Sequence, residues 1–157
     1  MLAHNNNRNN HDNLEAAMDL TYLVTPVLTW LVVGPIKFCI TSVRQRRLAF
    51  DLVGNGGFPS NHSAVVTSMA TLIALREGIN DPAFGVAVTL AFVIMIDANS
   101  LRQHVGRQAA AINRLGGAGP GVKPLRERMG HTLVEIGGGI VTGIAVGFGI
   151  NYLSGLL

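Results

Sequence analysis

The chain has 157 residues, enough for one domain. Charged residues make up only 13% of it and the mean hydropathy is +0.37, where soluble domains carry about 25% charge. The 48% hydrophobic content excludes bulk disorder, and the single cysteine, Cys39, excludes a disulfide scaffold.

In chain order, residues 1–19 are rich in Asn and include His4 and His11. They read as a polar, poorly ordered tail. Residues 20–157 read as one membrane domain. Four stretches in it carry no Asp, Glu, Lys or Arg: 20–36, 52–75, 82–96 and 136–157. A spanning helix needs about 20 mostly apolar residues. The first and last stretches meet this with their flanks. The second has a polar start, and the third is short unless 97–100 extend it. The expected fold is all-α, a polytopic membrane helix bundle with about four transmembrane helices. A soluble all-helical bundle is the alternative.

Of the twelve Lys and Arg residues, only Arg8 lies outside Lys37 to Arg128. Arg44, Arg46 and Arg47 fall in the first loop, against Asp51. Arg102, Arg107, Arg114, Lys123, Arg126 and Arg128 fall in the third, against Glu127. With four spans both basic loops share one side. The positive-inside tendency places that side in the cytoplasm and both termini opposite. A phosphate-binding role for these cations would weaken that placement. Nucleic-acid binding explains the basic pI poorly, because the cations flank apolar spans.

Four places can carry chemistry. Lys37 and Arg44 are seven residues apart, two turns along one helix face. Snorkelling at a membrane boundary is the plain alternative. The run Gly56-Gly57-Phe58-Pro59-Ser60-Asn61-His62-Ser63 precedes an apolar helix. Pro59 prepares the helix start, and Ser60 or Asn61 can cap it. Free N–H groups there favour an anion, with His62 in the first turn. Asp97, Leu101 and His104 follow i, i+4, i+7 spacing, with Arg102 and Arg107 alongside. A carboxylate closing an apolar run is a functional candidate, or half of an ion pair with an arginine. Finally, His131 and Glu135 are four apart. On a helix that carboxylate can hold one imidazole nitrogen and leave the other as nucleophile or base.

Gly139, Gly143 and Gly147 then form a small-residue stripe for close helix packing, within the chain or in a homodimer. The glycine-rich stretch from Gly116 to Gly121 lacks the strand–loop–helix context of a nucleotide loop and reads as a hinge.

The order Lys-x6-Arg, Pro-Ser-Asn-His, then arginines and His-x-x-x-Glu resembles the type 2 phosphatidic acid phosphatase superfamily, which includes the vanadium haloperoxidases. Within it the chain looks closest to the small divergent phosphatidic acid phosphatase family of bacteria and plastids. Gly-Gly-Phe-Pro-Ser-Asn-His-Ser, Asp-Ala-Asn-Ser-Leu-Arg-Gln-His-Val-Gly-Arg-Gln and Gly-His-Thr-Leu-Val-Glu-Ile-Gly-Gly-Gly look like its signature blocks.

The resemblance implies an integral membrane phosphatase acting on a lipid phosphomonoester or diphosphate. It needs no metal or other cofactor, since cations and helix-start amides can stabilise the transferring phosphoryl group. Lys37, Arg44, Ser60 and the backbone near Asn61 would hold phosphate. His62 would protonate the leaving group, and His131 would form a phosphohistidine. Glu135 stands where the superfamily has an orienting Asp. The implied location is a bacterial inner membrane or a plastid membrane.

The chain departs from the pattern in places. Asn61 replaces a usual Gly. Leu125 holds the position of a usual Arg, so Arg126 and Arg102 are rival suppliers of that charge. About four spans replace the common six. His104, backed by Asp97, therefore stands beside His131 as a second candidate nucleophile. Non-catalytic binding of anionic lipid headgroups is the competing function.

Overall fold

The computed structural model describes residues 20–46, 57–116, 121 and 123–156. The tail 1–19, Arg47, Asp51, Gly56 and most of the glycine-rich stretch 116–121 lie outside the described residues. Within them the fold is all-α, with helices α1 (Thr21–Gln45), α2 (Asn61–Arg76), α3 (Pro82–Ile96), α4 (Arg102–Arg114) and α5 (Leu133–Ser154). A π-helical turn, Asp97–Leu101, joins α3 to α4 without a break.

Three elements are long and apolar enough to cross a membrane: α1, the continuous Pro82–Arg114 helix and α5. At 1.5 Å per residue they measure about 37, 50 and 33 Å, against roughly 30 Å of hydrocarbon. Only 17–22% of their apolar windows is buried. Leu23, Val27 and Trp30 of α1, Val86 and Phe92 of α3, and Val141 and Phe148 of α5 all face outward. A soluble bundle would hide these faces; a membrane bundle offers them to lipid.

The second expected span forms differently. Its helix, α2, has only 16 residues and is the central element, with α1, α3 and α5 packed against it. Its buried positions are mostly small: Ser63, Ala64, Ser68 and Ala70, with Val66 and Leu72. Its low apolar content follows from its surroundings, which are other helices. Thr29 of α1 and Ser68 of α2 share a buried hydrogen bond at 2.7 Å. Such hydroxyl pairs and small residues hold helices together where no hydrophobic drive exists between helix and lipid.

The glycine stripe of α5 is spent inside the chain. A methyl on Gly139 would meet the Ser60 carbonyl at 2.5 Å, one on Gly143 that of Ala64 at 2.5 Å, and one on Gly147 the Thr71 Cβ at 2.8 Å. Of the two expected uses of this face, packing within the chain is the one α2 makes of it.

The helices alternate in direction. At one end, the Arg76 guanidinium lies 5.5 Å from the Tyr22 ring, Tyr22 Oη donates to Glu77 at 2.6 Å, and Arg76 Nε donates to Asn151 Oδ1 at 3.3 Å. This ties the start of α1 to the ends of α2 and α5. The other end gathers the end of α1, the start of α2, the π turn and the start of α5. Both ends of the described chain lie on the first of these faces, and Arg44, Arg102 and His131 lie at the second.

Candidate functional site

Ser60 is the N-cap of α2, and its Oγ accepts from the Ser63 amide at 3.3 Å and from Ser63 Oγ at 3.0 Å. Its own N–H donates to the Glu135 carbonyl at 2.9 Å, which pins the turn to α5. Phe58 lies against Gly138, where any side chain would overlap the ring. The Arg44 guanidinium sits 5.8 Å from that ring, which draws the end of α1 to the same turn. The Lys37 stem passes Gly57, where an added Cβ would lie 3.4 Å from Lys37 Cε.

His62 follows in the first turn of α2. Its ring meets that of His131 edge to face, with centroids 6.2 Å apart. His131 is 93% shielded (7% exposed), yet neither ring nitrogen finds a hydrogen-bond partner among the described residues. Asn61 Oδ1, buried nearby in sequence, has none either. Buried polar atoms are normally paired. Three unpaired ones, two of them on one ring, lie at the starts of α2 and α5.

The charges around this pair are defined. Lys37, Glu135, His62 and Arg102 all act on the His131 ring, and Arg102, Asp97 and Lys37 act on His62. Burial, then the Lys37 charge, holds His131 below the ordinary histidine range, so it is neutral at pH 7. Arg126, exposed in the loop before His131, acts on Lys37.

Two expected relationships do not form. His131 precedes α5, so it and Glu135 are not one helical turn apart. Thr132 is the N-cap, and Glu135 closes a capping box by accepting from the Thr132 amide at 2.9 Å. The carboxylate serves the helix start, not the imidazole. Likewise Asp97 and His104 do not share a face. The π turn puts Asp97 in register with the residue five later, and Asp97 Oδ2 accepts from Arg102 Nε at 2.7 Å. His104 is exposed on α4.

Other residues position the site without having stood out in the sequence. The Ala98 carbonyl, in the π turn, accepts from the His131 amide at 2.8 Å. Gln103 Nε2 donates to the His131 carbonyl at 3.1 Å. Gly130 has φ +85° and packs on Gln103, which turns the chain into His131. The π turn itself, a feature often found at functional sites, had no signal in the residue types.

Comparison with known proteins agrees with this architecture. No solved structure matches the chain. It is 31% identical over 150 residues to the "Uncharacterized membrane protein YuiD" of Bacillus subtilis (strain 168), covering 85% of this chain and 92% of that protein. Residues 18–146, which hold every helix but the last turns of α5, match the family model described as "Divergent PAP2 family". The apolar outward faces and this match together make the chain a membrane protein and a member of the Divergent PAP2 family.

Proposed function

We propose that the protein is a lipid phosphate phosphatase that works through a phosphohistidine on His131. The observation that carries this is the buried His131 ring with both nitrogens unpaired, facing His62 within the field of Lys37 and Arg102. A neutral imidazole in a cationic pocket is a nucleophile for a phosphate ester. Lys37, Arg102, Arg126 and Arg44, with Ser60, Asn61 and the α2 amides, supply charge and donors to the phosphoryl oxygens.

In the first step an imidazole nitrogen of His131 bonds to phosphorus and the bond from phosphorus to the lipid oxygen breaks. His62 gives that oxygen its proton from its imidazolium form, a minority at pH 7 because burial and then the Arg102 charge hold its pKa below the ordinary histidine value. In the second step neutral His62 takes a proton from water. The water oxygen bonds to phosphorus, the P–N bond breaks, and inorganic phosphate leaves. The site lies at the bundle end beside lipid-facing helices, which suits a substrate with its headgroup in the aqueous boundary and its chains in the bilayer. By its loop charge this face is cytoplasmic, in a bacterial inner membrane or a plastid membrane.

Purified protein in detergent is expected to release phosphate from phosphatidate or a polyprenyl diphosphate in the presence of EDTA. The His131→Ala variant is expected to release none. Equal rates in the two would remove His131 from this role. The capping-box engagement of Glu135 favours a second reading, headgroup binding without turnover, since the ring lacks its carboxylate partner. Saturable binding of phosphatidate vesicles with no phosphate release would support it.

A further inference from the structure

Residues 125–131 run back along α4 as a strap, exposed over 125–128 and buried at His131, and fixed at three points. At its start the Asn113 side chain makes a two-way lock. Nδ2 donates to the Leu125 carbonyl at 2.9 Å, and Oδ1 accepts from the Leu125 amide at 2.9 Å. The same Nδ2 donates to Glu127 Oε1 at 2.9 Å. In the middle, the Glu127 carbonyl lies so close to Gly106 that any Cβ there would collide with it. At its end, Gln103 and the Ala98 carbonyl hold His131. The fixings follow α4 and the π turn from Asn113 back to Ala98, so Asn113 lies about 15 Å of helix from Gln103. The strap carries two groups to the site, Arg126 beside the Asn113 lock and His131 at its end.

We infer that α4 is a rail that sets the register of this strap, and that Asn113 and Gly106 are positioning residues acting on Arg126 and His131 from outside the site. The inference rests on His131 being the reacting group. An irregular exposed segment has no periodic hydrogen bonds of its own, so its placement depends on such fixings. Asn113 is suited to this because one amide both donates and accepts, as a backbone peptide unit would. Gly106 is suited because only a missing side chain lets the two backbones approach. Gly106 faces the strap backbone and Asn113 bonds to it, so their loss should spare the α2–α5 contact.

The test uses full-length protein in detergent with Asn113→Ala, Gly106→Ala and, as a control on exposed α4 surface, Gln108→Ala. Amide hydrogen exchange at Leu125 and His131 reads the strap without reference to activity. Both positioning variants are expected to lose protection there while α2 and α5 keep theirs. Turnover on phosphatidate is expected to fall about 10²-fold in kcat, with KM changed far less, as a misplaced reacting group does. The His131 ring resonance is expected to titrate closer to ordinary histidine as the strap loosens. Gln108→Ala is expected to match the parent in all three. Unchanged protection in both positioning variants would overturn the rail. Lost protection with parental turnover would overturn the positioning role. If the parent itself releases no phosphate, the phosphatase reading fails. Exchange and the His131 titration then still decide the rail.

Discussion

His62 in the first turn of α2 and His131 at the end of an irregular loop meet edge to face, 6.2 Å between ring centroids. Helix α2, which carries His62, is central, and α5, which begins two residues after His131, is locked against it through glycine. The two histidines therefore form one unit whose halves are separable by experiment. With a substrate that has a good leaving group, His62→Ala should still build a trappable phosphoenzyme, because the departing oxygen then needs no proton. Its kcat on the lipid should fall about 10²–10⁴-fold, the usual share of a general acid. His131→Ala should build no phosphoenzyme with either substrate. Acid-quench trapping with labelled phosphate reads both.

Burial and the Lys37 charge hold His131 below the ordinary histidine value, so the sign of the pH response follows. A nucleophilic imidazole must be unprotonated. The acid limb of kcat/KM should therefore fall below about pH 6.5, the unperturbed value. Lys37→Gln removes a charge that lowers this pKa, and should move the limb to higher pH. Glu135→Gln removes a charge that raises it, and should move the limb to lower pH. Opposite shifts from the two variants are the expected result in a pH–rate series.

The Glu135 variant also tests which group that carboxylate serves. Gln can complete a capping box as Glu does. Glu135→Gln should therefore keep the helix start and cost activity less than tenfold at pH 7. An orienting carboxylate would cost about 10⁴-fold, as in hydrolases where an Asp holds the histidine tautomer. Thr132→Ala removes the cap side chain that accepts from the Glu135 amide. It should lower stability by about 1 kcal/mol. Thermal unfolding in detergent and phosphate release measure the two effects separately.

These outcomes mark what was legible in the residues. The apolar runs read as spans because lipid demands an unbroken apolar face, and α1, α3 and α5 supply one. Pro59-Ser60 read as a helix start because φ restriction and a hydroxyl cap are local effects, and Ser60 is the cap. Thr132 and Glu135 carry the spacing of a capping box, yet pairing Glu135 with His131 assumed that the helix began one turn earlier. The face shared by Asp97 and His104 assumed uninterrupted α periodicity, and a single π turn rotated the two apart. The strap along α4 had no signal, because its fixings are backbone contacts between segments with no common period. The glycine stripe was visible, but the surface it would meet was not.

That stripe supports a final prediction. A methyl at Gly143 would lie 2.5 Å from the Ala64 carbonyl and 2.9 Å from the Thr67 Cβ, so α2 and α5 would have to separate. Both sides of the contact are helix, with little freedom to yield. Gly143→Ala should therefore destabilise the bundle by about 1–3 kcal/mol, the usual cost of overpacking. Gly149 is on the same helix with nothing within 4 Å of an added Cβ. Gly149→Ala should leave stability unchanged or raise it by up to about 1 kcal/mol, since alanine favours the helix. The pair separates the local clash from the general effect of alanine. Because α2 supplies the clash, the loss at Gly143 should be independent of protein concentration. If Gly143 instead lined a dimer, its variant would unfold at a temperature that rises with concentration. Thermal scans in detergent across a tenfold range of protein distinguish the two.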